Sequence, residues 1–239
     1  MKKRLLLVFT CLTASSVCAK GGWVTDQENQ CQIWDSDPKT NQLISWSGEC
    51  KNGKANGKGI ASWYEGNNVV TTIQGIMKDG LCKEECLVTV ISGKNQFKYA
   101  GQLKDNELHG KGVFTWPDGN EYSGDWVEGK RNGTGKFIWK NGAEYLGDWK
   151  DDKSTGKGTY IWKDRDEEKY TGEVEEDKFH GKGVMYYTNG DKYSGSWANG
   201  KRHGRGIYTF KDGTTYKGIW ENGERIWLVP RLRDLIFWQ

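Results

Sequence analysis

Residues 129–137, GKRNGTGKF, mix glycine and lysine much as a phosphate-cradling loop does. In such a loop backbone N–H groups and a lysine hold a polyphosphate, and a hydroxyl directly after that lysine holds magnesium. Here five residues separate Gly129 from Gly135, and Phe137 stands where the hydroxyl belongs. No amphipathic helix pattern follows the loop, so nucleotide chemistry is excluded. His109, His180 and His203 each precede a Gly-x-Gly. That register puts the last two about one structural repeat apart, too far to share a metal, and predicts solvated turn residues. No Ser/His/Asp or Cys/His arrangement can be assembled by spacing. The expectation is a protein with no catalytic residue, no metal and no cofactor.

Six cysteines are the other reactive groups. Two of them, Cys11 and Cys18, lie in a segment that reads as an export signal. Residues 1–19 begin with Lys2, Lys3 and Arg4, run apolar from Leu5 and reach a small residue, Ala19, at a plausible cleavage point. The apolar run is too short for an ordinary membrane span. Removing residues 1–19 takes away three of the 35 basic residues and none of the 32 acidic ones, so the mature chain nets zero. A polyanion binder would show a basic excess, and nucleic acid is therefore not an expected partner. Cys31, Cys50, Cys82 and Cys86 remain. An even number in an exported chain predicts two disulfides, with three connectivities open. Zinc is the rival, but CKEEC carries three intervening residues and no histidine completes a site.

The elements that position these residues come from a repeat. From Tyr99 the chain restarts at Tyr122, Tyr145, Tyr170, Tyr193 and Tyr216, at spacings of 23, 23, 25, 23 and 23 residues. Within each unit apolar and polar residues alternate with period two on either side of a turn, the pattern of two short strands. Asp118-Gly119, Asn141-Gly142, Asn189-Gly190 and Asp212-Gly213 provide the turns into the next unit. The predicted fold class is all-β, a meander of antiparallel hairpins of 14 to 16 strands. With Gly129 and Lys130 at a hairpin tip, Trp126 faces Gly133, Gly124 faces Gly135 and Tyr122 faces Phe137. Rings then lie over bare backbone that a β-carbon would obstruct, and aromatic–glycine stacking replaces an aliphatic core.

Two columns of this repeat are candidate binding features. The residue between the paired glycines is Lys58, Lys111, Thr134, Lys157, Lys182 and Arg205, basic in five of six units. The register sets Glu49 opposite Lys58, Asp148 opposite Lys157 and Glu173 opposite Lys182, so cross-strand ion pairs account for much of the stripe. Thr134 interrupts it. Tyr122, Trp126, Trp139, Tyr145, Trp149, Trp162, Tyr193 and Trp197 are expected on one side of the sheet, as core against their own glycines. Cys31 precedes the first hairpin and Cys50 lies on its outer strand. That favours Cys31–Cys50, tying the leader to the sheet edge, and Cys82–Cys86 closing a local loop. At the other end, 227–238 is a dense apolar run expected to cap the last strand, with a homodimer contact as the alternative.

The pattern Tyr-x-Gly-x-Trp-x-x-Gly-x-x-x-Gly-x-Gly resembles the MORN repeat. It stands at Tyr122, Gly124, Trp126, Gly129, Gly133 and Gly135, and at Tyr193, Gly195, Trp197, Gly200, Gly204 and Gly206; Tyr145, Gly147 and Trp149 open a further copy. The resemblance covers 99–223 clearly, with two degenerate units before it, so that the chain is expected to divide into a signal peptide (1–19), a disulfide-bearing segment with the degenerate units (20–98), the array (99–223) and an apolar cap (224–239). The degenerate units depart from it: Cys50 and Met77 take the tryptophan position, and Cys86 replaces a paired glycine. It implies an elongated single sheet but no single function. The resulting expectation is a non-catalytic scaffold in the periplasm or outside the cell, binding protein partners along the sheet. MORN repeats have been linked to phospholipids, so the first alternative is a peripheral membrane binder reading anionic headgroups through Lys111, Lys157, Lys182 and Arg205. The second is a cell-wall glycan binder using exposed aromatics.

Overall fold

The computed structural model describes residues 21–40, 42–163 and 166–226. They form 19 strands and, among the described residues, no helix, so the chain is the all-β hairpin meander its periodicity predicts. The export segment 1–19 and the apolar run 227–238, with its cap and dimer readings, lie outside the described residues. The chain gathers into two compact units. One takes the residues up to Lys140 together with Trp149–Asp152; the other takes Asn141–Asp148 and the residues from Lys153 onward.

The first unit opens with a leader hairpin, β1 (Gly22–Thr25) and β2 (Gln32–Asp35), followed by two short strands, β3 (Leu43–Trp46) and β4 (Glu49–Lys51). Both short strands pair with β5 (Lys54–Glu65). From β5 the meander runs through β6 (Asn68–Lys78), β7 (Leu81–Ser92), β8 (Asn95–Lys104), β9 (Glu107–Thr115), β10 (Glu121–Val127) and β11 (Lys130–Ile138). β12 (Glu144–Lys150) contributes to both units. In the second unit β13 (Lys153–Ile161), β14 (Glu167–Glu175), β15 (Lys178–Tyr187), β16 (Lys192–Ala198), β17 (Lys201–Thr209), β18 (Thr215–Glu221) and β19 (Glu224–Ile226) pair antiparallel in succession.

Each hairpin is closed by a ring laid across a pair of glycines. Tyr122 has no exposed surface and covers the facing pair Gly124 and Gly135. A β-carbon on Gly135 would fall 2.5 Å from Cε2 and Cζ of that ring, so only glycine lets the ring lie down. The Tyr122 hydroxyl then donates to the Asp125 carbonyl at 3.0 Å, and the same bond recurs from Tyr99 to Gln102, Tyr145 to Asp148, Tyr170 to Glu173 and Tyr193 to Ser196. Trp126, Trp149 and Trp197 donate Nε1–H to the carbonyls of Gly112, Gly135 and Gly183, each at 3.2 Å. Those bonds fix the tryptophans edge-on to the tyrosines, with centroids 5.1 Å apart for Tyr122–Trp126 and 5.2 Å for Tyr193–Trp197. This edge-to-face geometry is the one the ring quadrupoles favour. Tyr122, Trp126, Tyr145, Trp149, Tyr193 and Trp197 are core, as their spacing against glycine implies, whereas Trp139 and Trp162 of the same column are only half-buried.

The hairpin register departs from the simple alternation at one point. Tyr122 does face Phe137 and Gly124 does face Gly135, but Trp126 faces Arg131, not Gly133. The tip is Glu128–Gly129, both at positive φ, and Val127 pairs with Lys130. A bulge between Gly124 and Trp126 absorbs the difference on β11. Gly133, at φ 76°, is the bulge residue, and the conformation favours glycine on backbone grounds. Its neighbour's amide is taken up by Asp125, whose Oδ2 accepts from Thr134 N–H at 2.8 Å.

The two degenerate units solve the same problem with other groups. In the first, Trp46 takes the tyrosine's place, and a β-carbon on Gly59 would meet Cη2 of its indole at 2.5 Å. In the second, Cys82 and Cys86 lie over Gly75, whose β-carbon would sit 2.7 Å from the Cys82 sulfur. The cysteine that breaks the glycine pattern thus belongs to the group that replaces the ring. Cys82 is paired with Cys86 (Cα–Cα 6.5 Å) and Cys31 with Cys50 (5.7 Å), the connectivity favoured by their places in the chain.

Candidate functional site

On the face opposite the tyrosines, four hairpins carry an acidic or amide side chain directly after the first paired glycine. These residues are Gln102, Asp125, Asp148 and Glu173. Their first task is structural. Each accepts the amide nine residues on, from Lys111 (3.1 Å), Thr134 (2.8 Å), Lys157 (2.9 Å) and Lys182 (2.9 Å) respectively. These bonds hold the bulged backbone, and they revise the expected ion pairs within a hairpin. Glu49 faces Asn56 and Glu173 faces His180; neither faces the lysine assigned to it. Asp148 reaches the Lys157 residue through its amide nitrogen. The two-residue register shift at the bulge moves each lysine away from its own hairpin's acid.

The lysines instead meet the next hairpin. Lys111 faces Asp125 and its ammonium pairs with that carboxylate; Lys157 faces Glu173. Partial burial would raise the Asp125 pKa, but the Lys111 ammonium and the Thr134 amide and hydroxyl outweigh it and hold it below the ordinary 3.8. The Lys111 side chain is 72% exposed, so the pair contributes about 1 kcal/mol at most. It does set the local charge: at Lys111 and Lys157 the cation column is matched by carboxylates.

At the end of the second unit the acids lapse. The residue facing Lys182 is Ser196, whose hydroxyl accepts from its Nζ at 2.8 Å, and the residue facing Arg205 is Ile219. Lys217 joins them on β18, facing Ile207. A shallow groove of about 550 Å³ opens here, lined by Lys182, Arg205 and Lys217 together with Val184, Ser194 and Ile207. Of the four cations read from the sequence as headgroup contacts, the second unit thus brings Lys182 and Arg205 together. Lys111 and Lys157 are set against acids. Lys217 escaped the sequence reading because it falls in a column that holds Ala100, Ser123, Leu146, Thr171 and Ser194 elsewhere. Comparing the acid column down to Ser196 and Ile219 would have located the groove.

The histidines sit near the tips as expected. His180 is exposed and its Nδ1 lies 3.2 Å from Glu175 Oε2. Among the described residues no three His, Cys, Asp or Glu side chains are grouped to hold a metal. Trp116, Trp139 and Trp162 stay partly exposed beyond the tyrosine rows, each against a neighbouring ring: Phe114 at 4.4 Å, Phe137 at 4.8 Å and Tyr160 at 5.7 Å.

Glycine-paired hairpins closed by a tyrosine define a hairpin-repeat protein with a repeated internal plan and outward columns that vary from unit to unit. The family model for the MORN repeat matches six segments, 46–68, 99–121, 122–144, 145–167, 170–192 and 193–215, which together make up more than half of the 239 residues. The chain belongs to the MORN repeat family. No curated protein matches it.

Proposed function

We propose that this chain is an exported, non-enzymatic scaffold that binds a partner protein, and that the groove across β15–β18 takes an acidic segment of that partner. The observation carrying this reading is the gathering of Lys182, which faces Ser196 where Lys111 and Lys157 face acids, with Lys217 and Arg205 around a groove with apolar walls. An extended peptide carrying alternating acidic and apolar side chains complements such a lining. Export is supported by two cysteine pairs at bonding distance, which an oxidising compartment maintains. MORN repeats are found in proteins that engage either proteins or membrane lipid, and the columns here favour the protein. Where the cations would have to continue as a lipid-reading ladder, Lys111 and Lys157 are matched by acids and Thr134 takes the intervening position.

The test is fluorescence anisotropy with a labelled poly-glutamate peptide, run beside sedimentation with phosphatidylglycerol vesicles. The peptide binds the parent protein, its affinity falls with added salt, and a Lys182→Glu/Arg205→Glu/Lys217→Glu variant loses it. Vesicle binding without peptide binding assigns the cations to lipid instead. Retention on peptidoglycan without either assigns the chain to glycan.

A further inference from the structure

A second site lies in the first unit, where the leader meets the first strands. The loop after β2 stands over the faces of β5, β6 and β7 and leaves a cavity of about 390 Å³. That volume falls within the range of small-molecule sites. Its floor is aliphatic and closed from behind: Ile73 and Val88 are buried to within 4–5% of their surface, and both line the cavity. Trp63 and Trp34 form its walls.

Both walls are held by hydrogen bonds. The Trp63 Nε1–H donates to Asp35 Oδ2 at 2.8 Å. Trp34 donates its amide to the Gly80 carbonyl at 3.0 Å, and its own carbonyl accepts from Asn106 Nδ2 at 2.6 Å. Asn106 is itself buried, and its Oδ1 accepts from the Cys82 amide. Trp34 also packs edge-on against Trp23, with centroids 5.3 Å apart. A ligand entering therefore meets rings already in place, which lowers the ordering cost of binding.

The charged residues that line the cavity are acidic on balance: Asp35, Asp37 and Glu65 against Lys39. Asp35 is occupied on both oxygens, by Trp63 Nε1–H and by the Asp37 amide at 2.9 Å. Two indoles and a carboxylate suit an apolar body bearing an ammonium group, through apolar burial, cation–π contact and charge.

We infer that this cavity is a binding site for a small amphiphile with an aromatic or aliphatic body and one cationic amine. It is independent of the groove on β15–β18. The test uses three isosteric probes on the purified, oxidised protein: tryptamine, its neutral alcohol tryptophol, and the anionic indole-3-propionate. Isothermal titration calorimetry measures affinity. The Trp63 indole N–H resonance, assigned by its loss in Trp63→Phe, reports location. Tryptamine is expected to bind about tenfold more tightly than tryptophol, with the anion weaker still, and to shift the Trp63 resonance. Asp37→Asn should remove the preference for the amine while tryptophol binding stays. Lys182→Glu, in the other unit, should change nothing. The inference is overturned if no probe binds at millimolar concentration, if the three bind alike, if Asp37→Asn leaves the order unchanged, or if the Trp63 resonance does not move.

Discussion

Gly135→Ala tests whether the tyrosine-over-glycine arrangement holds each hairpin together. Gly135 has a negative φ, so alanine is free of backbone strain there. By propensity alone the change should stabilise the strand by about 0.5–1 kcal/mol. Against this, the new methyl would stand 2.5 Å from two ring atoms of Tyr122, a side chain with no exposed surface and a hydroxyl already bonded to Asp125. Overpacking a site of this kind costs about 1–3 kcal/mol. The net effect is a loss of about 1–2 kcal/mol, which at a urea slope of about 2 kcal/mol/M lowers the midpoint by about 0.5–1 M. The informative comparison is the same change made in a Tyr122→Leu background. With the ring gone, Gly135→Ala should become neutral or stabilising, so the sign of the effect reverses. Equal destabilisation in both backgrounds would refute the close-contact reasoning, as would a parent Gly135→Ala that is more stable than the unmodified protein.

Three further outcomes follow from the same geometry. Burial raises the pKa of Tyr99, Tyr122, Tyr145 and Tyr170 well above 10.0, and that of Tyr193 to about 12. In the unfolded chain these groups ionise near pH 10, so the folded state holds more protons, and stability that is complete below pH 10 falls as pH rises toward 12. Circular dichroism and phenolate absorbance should show one cooperative alkaline transition; tyrosines ionising near pH 10 in a folded protein would contradict it. Removing the Cys31–Cys50 link, with its separation of 19 residues, should cost about 3 kcal/mol, and removing Cys82–Cys86, with its separation of 4, about 2 kcal/mol, read as urea midpoints of the serine pairs. Replacing Asp125 by asparagine should lower stability by about 1 kcal/mol at neutral pH and by progressively less as pH falls through the depressed Asp125 pKa, since protonation then removes from the parent the same negative charge that the substitution removes.

Much of the fold was legible because its restraints are local and repeat. The tyrosine interval and the alternation around it gave the hairpin pairing through Tyr122–Phe137 and Gly124–Gly135, while the 19 strands exceed the 14 to 16 expected because the non-periodic leader adds short strands of its own. What escaped was the bulge. Alternation with period two carries a register straight through to the tip, whereas Gly133 turns left-handed and shifts the pairing beyond it. The clue lay in the acid nine residues before each Gly-x-Gly centre, at Asp125, Asp148 and Glu173, which reads as an ion-pair partner until its amide bond is seen. That one shift reassigned every lysine from its own hairpin to the next. The groove was half legible: Lys182 and Arg205 were in view, but Ser196, Ile219 and Lys217 acquire meaning only when facing residues are known. The cavity beside Trp34 and Trp63 was not legible, because it joins the leader to strands well downstream of it without any periodic signal.

The central claim is that a partner protein is recognised at the groove on β15–β18. Its most direct test places a photoreactive residue at position 194, in the groove, in cells making the full chain, followed by irradiation and mass spectrometry of the adducts. The account predicts a discrete protein adduct, crosslinked through an acidic segment, that disappears when Lys182→Glu and Arg205→Glu are added. Adducts that survive both charge reversals, or that consist of lipid alone, would contradict it.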